Sequence, residues 1–274
     1  MNNNTSAVQL ADLSFWYDPG RVILDAIDIA IAENEFIAII GQNGSGKTSL
    51  LKIISGLLRP SCGTVFVNGI DTAAMGIAEI AGFIGFVMQE SDNQLFETSV
   101  YDEVAFALKR RLPKQAIGRK VEEYLAALDL WDKQDMFPLA LNRADRVKTV
   151  FAAVLAVDPG IIILDEPLAG QDMRGCRMIM DMIAGLHQQG YTIILVTHNV
   201  SIAAEYARRI LVMKEGRVFM DGDPKSVFGR EEELSGAGIV PPQITRLSAR
   251  LRGRIPLADA LSPAELATML VSLK

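Results

Sequence analysis

The 274-residue chain is 50% hydrophobic and 22% charged, with a formal net charge of −6. Its length suits one large domain or two smaller ones, with a core that needs no disulfide or metal staple. The acidic balance gives no support to a nucleic-acid partner, and the apolar excess raises the question of a membrane span.

At the N-terminus, Met1-Asn2-Asn3-Asn4-Thr5-Ser6 has neither the basic nor the apolar region of a secretory leader, so none is expected. The aromatic run Phe15-Trp16-Tyr17 reads first as a core plug, at Phe15 and Trp16 above all. Val22-Ile23-Leu24, Asp28-Ile29-Ala30-Ile31 and Gly63–Gly69 read as an antiparallel patch, the last with an Asn68-Gly69 turn signal. Phe36–Ile40 is a continuous apolar run, the pattern of a strand buried on both faces. Directly after it, Gly41-Gln42-Asn43-Gly44-Ser45-Gly46-Lys47-Thr48 fits G-x-x-x-x-G-K-[ST] and leads into a helical pattern. Glycines there let backbone N–H groups converge on phosphate oxygens at a helix N-terminus. Lys47 is expected on the β- and γ-phosphates and the Thr48 hydroxyl on Mg²⁺.

From about residue 98 to 158 the period becomes helical. Val147, Val150, Phe151, Val154 and Leu155 form one buried stripe, which Pro159-Gly160 is expected to stop. Ile161–Leu164 is a second doubly buried strand, ending in Asp165-Glu166-Pro167. Beside a phosphate loop, Asp165 suits Mg²⁺ binding and Glu166 the general base that polarises the attacking water. The longest uncharged stretch, Met182–Ala204, is interrupted at His187-Gln188-Gln189-Gly190 and Thr197-His198-Asn199. Its apolar piece, Tyr191–Val196, is far short of the roughly 20 residues a span needs. The strand Thr192–Val196 ends at His198, a histidine that is either structural or placed to reach a γ-phosphate. Cys62 and Cys176 lie far apart and read as ordinary thiols of a reducing compartment. A Gly/Glu-rich passage, Gly229–Gly238, is the candidate boundary before a tail. There Ser262-Pro263-Ala264-Glu265 is a capping box, and Leu266, Met269, Leu270 and Leu273 share one face.

The order of phosphate loop, Gln89, helical insert, Asp165-Glu166, Ala169-Gly170-Gln171-Asp172 and His198 resembles an ABC-transporter ATPase subunit from about residue 8 onward. The resemblance implies an α/β P-loop NTPase fold with a RecA-like parallel-sheet core. An antiparallel β-subdomain, an inserted α-helical subdomain (about 91–158) and a small C-terminal helical extension complete it. Residues 7–230 would form the nucleotide-binding domain and 231–274 a helical dimerisation segment. By the same resemblance Tyr17 stacks on adenine, while Gly41, Asn43, Gly44, Ser45, Gly46, Lys47, Thr48 and Ser49 hold the nucleotide. Gln89 senses Mg²⁺ and the attacking water, His198 joins Glu166 in catalysis, and Asp172 couples two sites of a dimer. ATP and Mg²⁺ are the implied substrate and metal.

Met88-Gln89-Glu90-Ser91-Asp92-Asn93-Gln94-Leu95-Phe96 and Asp102-Glu103-Val104-Ala105-Phe106 are similar to the ATPases of energy-coupling factor importers. The tail agrees at Pro242-Gln243-Ile244-Thr245-Arg246-Leu247 and Leu261–Leu266. In that family this tail helps hold two ATPase subunits together. Ile244, Leu247 and Leu251 form a compatible apolar stripe; Arg246, Arg250, Arg252 and Arg254, taken alone, read as a solvated helix face. Such importers take up vitamins or transition metal ions through a transmembrane coupling subunit and a substrate-binding membrane subunit. The implied location is therefore the cytoplasmic face of the cell membrane. Glu90, Asp92, Glu97, Asp102 and Glu103, with no basic residue among them, are expected to meet a cationic element of the coupling subunit, and Leu95 and Phe96 to add apolar contact.

One departure stands out. Where the family usually has Leu-Ser-Gly-Gly-Gln, this chain has Leu139-Ala140-Leu141-Asn142-Arg143. Ala140 lacks the hydroxyl, and Leu141 and Asn142 add side chains where backbone normally approaches phosphate. Asn142 still suits a helix N-cap. Losing one donor aimed at transition-state charge costs about 10²–10³ in rate. The expected assembly is a heterodimer with one competent and one impaired site. The alternatives are a nucleotide-gated dimerisation module with little turnover and a soluble ABC-type ATPase outside transport.

Overall fold

The computed structural model describes residues 6–109, 111–252 and 260–272. Met1–Thr5, Arg254 and Leu273, named above, lie outside the described residues, as does the side chain of Arg252. The chain divides into two compact units: residues up to Ala74 together with those from Thr192 onward, and Met75–Tyr191.

The first unit opens with β1 (Ser6–Trp16), β2 (Val22–Ala32), β3 (Phe36–Gly41), α1 (Lys47–Ile54), β4 (Cys62–Val67) and β5 (Ile70–Asp71). Strands β2, β1, β4 and β5 form an antiparallel sheet in that order. Val22-Ile23-Leu24 and Asp28–Ile31 belong to one strand, irregular where Ala26 takes φ 48°. The alternation of β1 is broken between Leu10 and Leu13, where Asp12 takes φ 47°, which hides its strand period in the sequence. Asn68 and Gly69 both take positive φ and close the β4–β5 hairpin.

In the second unit follow α2 (Ile77–Phe83), β6 (Ile84–Val87), α3 (Val100–Leu108), α4 (Lys114–Ala127), α5 (Arg143–Leu155), β7 (Ile161–Asp165) and α6 (Met173–Gln188). Val147, Val150, Phe151 and Leu155 are buried, as the stripe on α5 requires. The helix ends before Pro159-Gly160, because Asp158 turns to φ 60° and its N–H returns to the Leu155 carbonyl at 2.8 Å. Helices α3, α4 and α5 share a core of Val100, Val104, Leu108, Val121, Leu125 and Ala152.

The chain then returns to the first unit with β8 (Thr192–Val196), α7 (Val200–Tyr206), β9 (Arg209–Lys214), β10 (Arg217–Gly222), α8 (Pro224–Phe228), α9 (Glu231–Gly236), α10 (Gln243–Arg252) and α11 (Pro263–Val271). β3 lies between β8 and β9, parallel to both, and Phe36–Ile40 are no more than 1% exposed. Burial on both faces explains the unbroken apolar run. Glu215-Gly216, both at positive φ, turns β9 into antiparallel β10.

The Gly229–Gly238 passage is packed structure: it carries α9, and Leu234 and Ala237 are buried. The residues on both its sides belong to one unit. Ile244, Leu251 and Met269 pack with Leu266 between α10 and α11, while Leu247 of the expected stripe is 46% exposed. Ser262 caps α11 as expected, but the Glu265 carboxylate accepts from the Leu261 N–H rather than from Ser262. Among the described residues, no helix is long and apolar enough to cross a membrane.

Candidate functional site

The phosphate loop is shaped by its backbone. β3 delivers Gly41 so close to β9 that an added Cβ would overlap the Met213 carbonyl oxygen. Gly44 and Gly46 take φ of 80° and 100°, which side chains rarely adopt. Gly46 caps α1 without a side-chain bond, and the first turn holds no acid, so the positive end of the helix keeps its pull on anions. Lys47 is buried, its Nζ donating to the carbonyls of Gly41 at 2.8 Å and Gln42 at 2.9 Å. Asn43 and Thr48 are exposed, whereas Ser45 is buried with a hydroxyl that has no protein partner among the described residues. Tyr17 is 56% exposed, its ring packed edge-on against Phe15 at 4.8 Å and its hydroxyl 3.3 Å from Ser49 Oγ on α1. That contact ties the aromatic to the loop's own helix and leaves most of the ring open for stacking.

His198 is held between two anchors. Buried Thr197 accepts the Asn199 N–H at 3.0 Å, and Asn199 Oδ1 caps α7. Between them, exposed His198 lines a cavity of about 400 Å³ together with Gly41, Gln42 and Asn43. The structure therefore brings the histidine and the phosphate loop to one place within the first unit.

In the second unit β6 and β7 run parallel, with Val87 opposite Leu164. Gln89 and Asp165-Glu166 thus leave their strands at the same end. Asp165 is 2% exposed, and Glu166 takes φ 51°, a left-handed backbone that costs an L residue roughly 1–2 kcal/mol. Strain of this kind gathers at functional sites. Exposed Gln89 follows a segment braced by Gln94, whose Oε1 accepts the Met88 N–H at 2.8 Å and whose Nε2 donates to the Phe86 carbonyl at 2.9 Å. Asp172 caps α6, accepting the Gly175 N–H at 2.7 Å.

The altered signature segment has a structure of its own. Leu141 does not project into a phosphate path: it is 5% exposed and packs in the α3–α4–α5 core, where its apolar side chain is most stable. Ala140 and Asn142 are exposed, and Asn142 Oδ1 accepts the Asp145 N–H at 2.9 Å as the cap of α5. Arg143 reaches across to the segment after Glu166, donating from Nη2 to the Ala169 carbonyl at 2.6 Å. Its guanidinium fills the place of a Cβ on Gly170, whose φ is 68°, with atoms 2.6–2.7 Å away. This contact has no local sequence signal, since the two residues lie on separate elements.

Each unit carries a hard oxygen donor of the kind Mg²⁺ takes, Thr48 in the first and Asp165 in the second, and no cluster of three or more His, Cys, Asp or Glu side chains suited to a metal occurs among the described residues. Mg²⁺ that arrives with a nucleotide takes few protein ligands and completes its shell with phosphates and water.

A family model described as ABC transporter matches residues 24–169, more than half of the chain. The chain belongs to the ABC transporter family. It is 36% identical to the energy-coupling factor transporter ATP-binding protein EcfA2 of Acetivibrio thermocellus, over 94% of this chain and 95% of that protein. The solved structure of cbiO1 from Clostridium perfringens, part of the ABC transporter complex cbiONQ, superposes with a TM-score of 0.76. It shares 33% identity over 92% of this chain and 96% of that one. Other relatives are longer: an ABC transporter ATP-binding relative from Caldanaerobacter subterraneus is 40% identical over 247 residues, and the chain spans 43% of its length. The chain spans less than half the length of the two Methanosarcina relatives as well.

In this ABC-family chain the acidic stretch is less available than its composition suggests. Asp92 is paired with Arg146 at 2.8 Å, and Asp102 faces Lys109 at 3.6 Å. Glu103 is 4% exposed and accepts the N–H groups of Phe96 and Glu97, both at 2.9 Å. Burial pushes its carboxyl above the ordinary range, and the two N–H donors offset part of that rise. Leu95 is buried too. An apolar pair faces outward as well: Phe96 is 61% exposed and packs edge-on against exposed Phe106 at 4.8 Å. Charge was the stronger signal in the sequence because partners such as Arg146 come from a distant helix.

Proposed function

We propose that the chain is an ATP-binding and ATP-hydrolysing subunit of an importer of the energy-coupling factor type, peripheral to the membrane and held there by partner subunits. The observation that carries this is the end-to-end match to an energy-coupling factor ATPase, in a chain that keeps the full phosphate loop with Lys47 held inside it. In this reading ATP lies along the loop, with Lys47 and the N–H groups of α1 on its phosphates, Tyr17 on its base and Thr48 and Asp165 on Mg²⁺. When bound, Mg²⁺ would supply positive charge to the phosphate oxygens. A water oxygen bonds to the γ-phosphorus while the bond to the β–γ bridging oxygen breaks. Glu166 takes the water proton, Gln89 orients the water, His198 bears on the γ-phosphate, and ADP and phosphate leave.

The partners proposed are a second ATPase subunit, a transmembrane coupling subunit and a substrate-binding membrane subunit. A heterodimer is favoured because Ala140 offers no hydroxyl to a facing nucleotide, so two copies of this chain would make two impaired sites. The same segment supports a second reading, a nucleotide-gated module with little turnover. The two separate on one measurement. Glu166→Gln in the purified complex should lower ATP turnover by about 10²–10⁴-fold. Wild-type turnover in that variant removes Glu166 from the chemistry, and negligible turnover in the unaltered complex favours the gated module.

A further inference from the structure

The cavity beside His198 has a wall that the phosphate-loop motif does not supply: Gly238, Ile239 and Val240. These residues follow α9, which closes with the Ile239 N–H on the Leu234 carbonyl and the Gly238 N–H on the Ser235 carbonyl, both at 2.9 Å. That pattern is a Schellman cap, with Gly238 at φ 65° in its left-handed position. The cap is fixed to the body of its unit by buried Leu234, Ala237 and Ile239. It also rests on the phosphate loop, for a Cβ on Gly238 would overlap the side-chain amide of Gln42. Gln42 is the residue whose carbonyl holds Lys47. On the far side, buried Pro241 and Pro242 lead without slack into α10, whose Arg246 N–H returns to the Pro242 carbonyl at 3.1 Å.

We infer that Gly238–Val240 is a positioning element of the nucleotide site, supplied in cis by the C-terminal segment, and that it faces the phosphate end of ATP. The inference rests on the nucleotide reading above. Its consequence is a stiff path from α10 and α11, through the two prolines and the α9 cap, to Gln42 and the cavity that His198 faces. Whatever docks on the C-terminal helices then bears on nucleotide affinity, and nucleotide bears on them.

Val240 is 60% exposed, so charge can be placed there without disturbing the fold. The full-length chain carrying Val240→Asp should bind Mg-ATP about ten-fold more weakly, and ADP less so, while Val240→Lys should not weaken it; the contrast should shrink at high salt. Equal ATP affinities in Val240→Asp and Val240→Lys overturn the inference while leaving the nucleotide reading intact. Failure of the unaltered chain to bind Mg-ATP overturns that reading, and the inference with it. A second measurement uses no variant: Mg-ATP should slow amide exchange at Gly238–Val240 several-fold, and unchanged exchange there also counts against the inference. Gly238→Ala and Gln42→Ala should act non-additively on ATP affinity, whereas Gly236→Ala, with open space around its Cβ, should leave it unchanged. Additive effects of the first two would mean that the cap does not act through Gln42.

Discussion

Gly41 and Gly44 stand in the same loop for different physical reasons. At Gly41 the obstacle is the backbone carbonyl of Met213, which cannot move without displacing β9; at Gly44 nothing lies within 4 Å and the cost is the φ of 80° alone. Gly41→Ala should therefore lower the melting temperature clearly more than Gly44→Ala, which costs about 1–2 kcal/mol. Equal losses in thermal unfolding would refute that ranking. Arg143 is a second such case. It stands where the family usually has glutamine, and its guanidinium rather than an amide reaches the Ala169 carbonyl. Gly170→Ala would expel it, so amide exchange over Gly170–Asp172 should speed in that variant and in Arg143→Ala. The double variant should be little worse than either single one. Independent, additive effects would show that the contact does not brace the segment.

At the scale of elements, the helices around α5 show what periodicity reads and what it misses. The stripe Val147–Leu155 was legible because Val147, Val150, Phe151 and Leu155 are buried at helical spacing, and Asn142 was legible as a cap because its function is local. The bond between Tyr191 and Asp158 was not. Tyr191 donates to Asp158 Oδ1 at 3.1 Å. Burial, with Asp158 as the second cause, pushes the Tyr191 phenol up to about 12. Because the folded pKa lies above the unfolded one near 10, the group's contribution is fully present below about pH 10 and is lost as pH climbs through about 12. Tyr191→Phe should be somewhat less stable at neutral pH and should lose this alkaline slope in chemical denaturation. An unchanged slope would place the alkaline sensitivity elsewhere.

For the molecule as a whole, the exposed apolar surface has to be accounted for. No helix among the described residues can span a bilayer, yet Phe96 and Phe106 pack together at the surface, beside acids already engaged within the protein. An aromatic pair that stays exposed in the chain alone is suited to a partner. Phe96→Asp should thus reduce co-purification with membrane subunits by more than about ten-fold and leave ATP binding by the chain intact. Reversal at Asp92 is a poorer test, since it would first break the pair with Arg146. Full assembly of the Phe96→Asp chain would exclude this face as the docking site.

The sequence by itself determined the loop from Gly41 to Thr48, the strands Phe36–Ile40, Ile161–Leu164 and Thr192–Val196, and the helix stripe of α5. In each, the cause is local: a fixed spacing of backbone-bending glycines, burial on both faces, or one period of burial. Tertiary structure decided what depends on distant partners. It buried Leu141, joined Arg143 to Ala169, paired Asp92 with Arg146 and Asp102 with Lys109, and seated the cap of α9 on Gln42. The −6 charge and the apolar half of the composition are the same in either view, but only folding determines which charges are spent internally and which apolar residues remain outside.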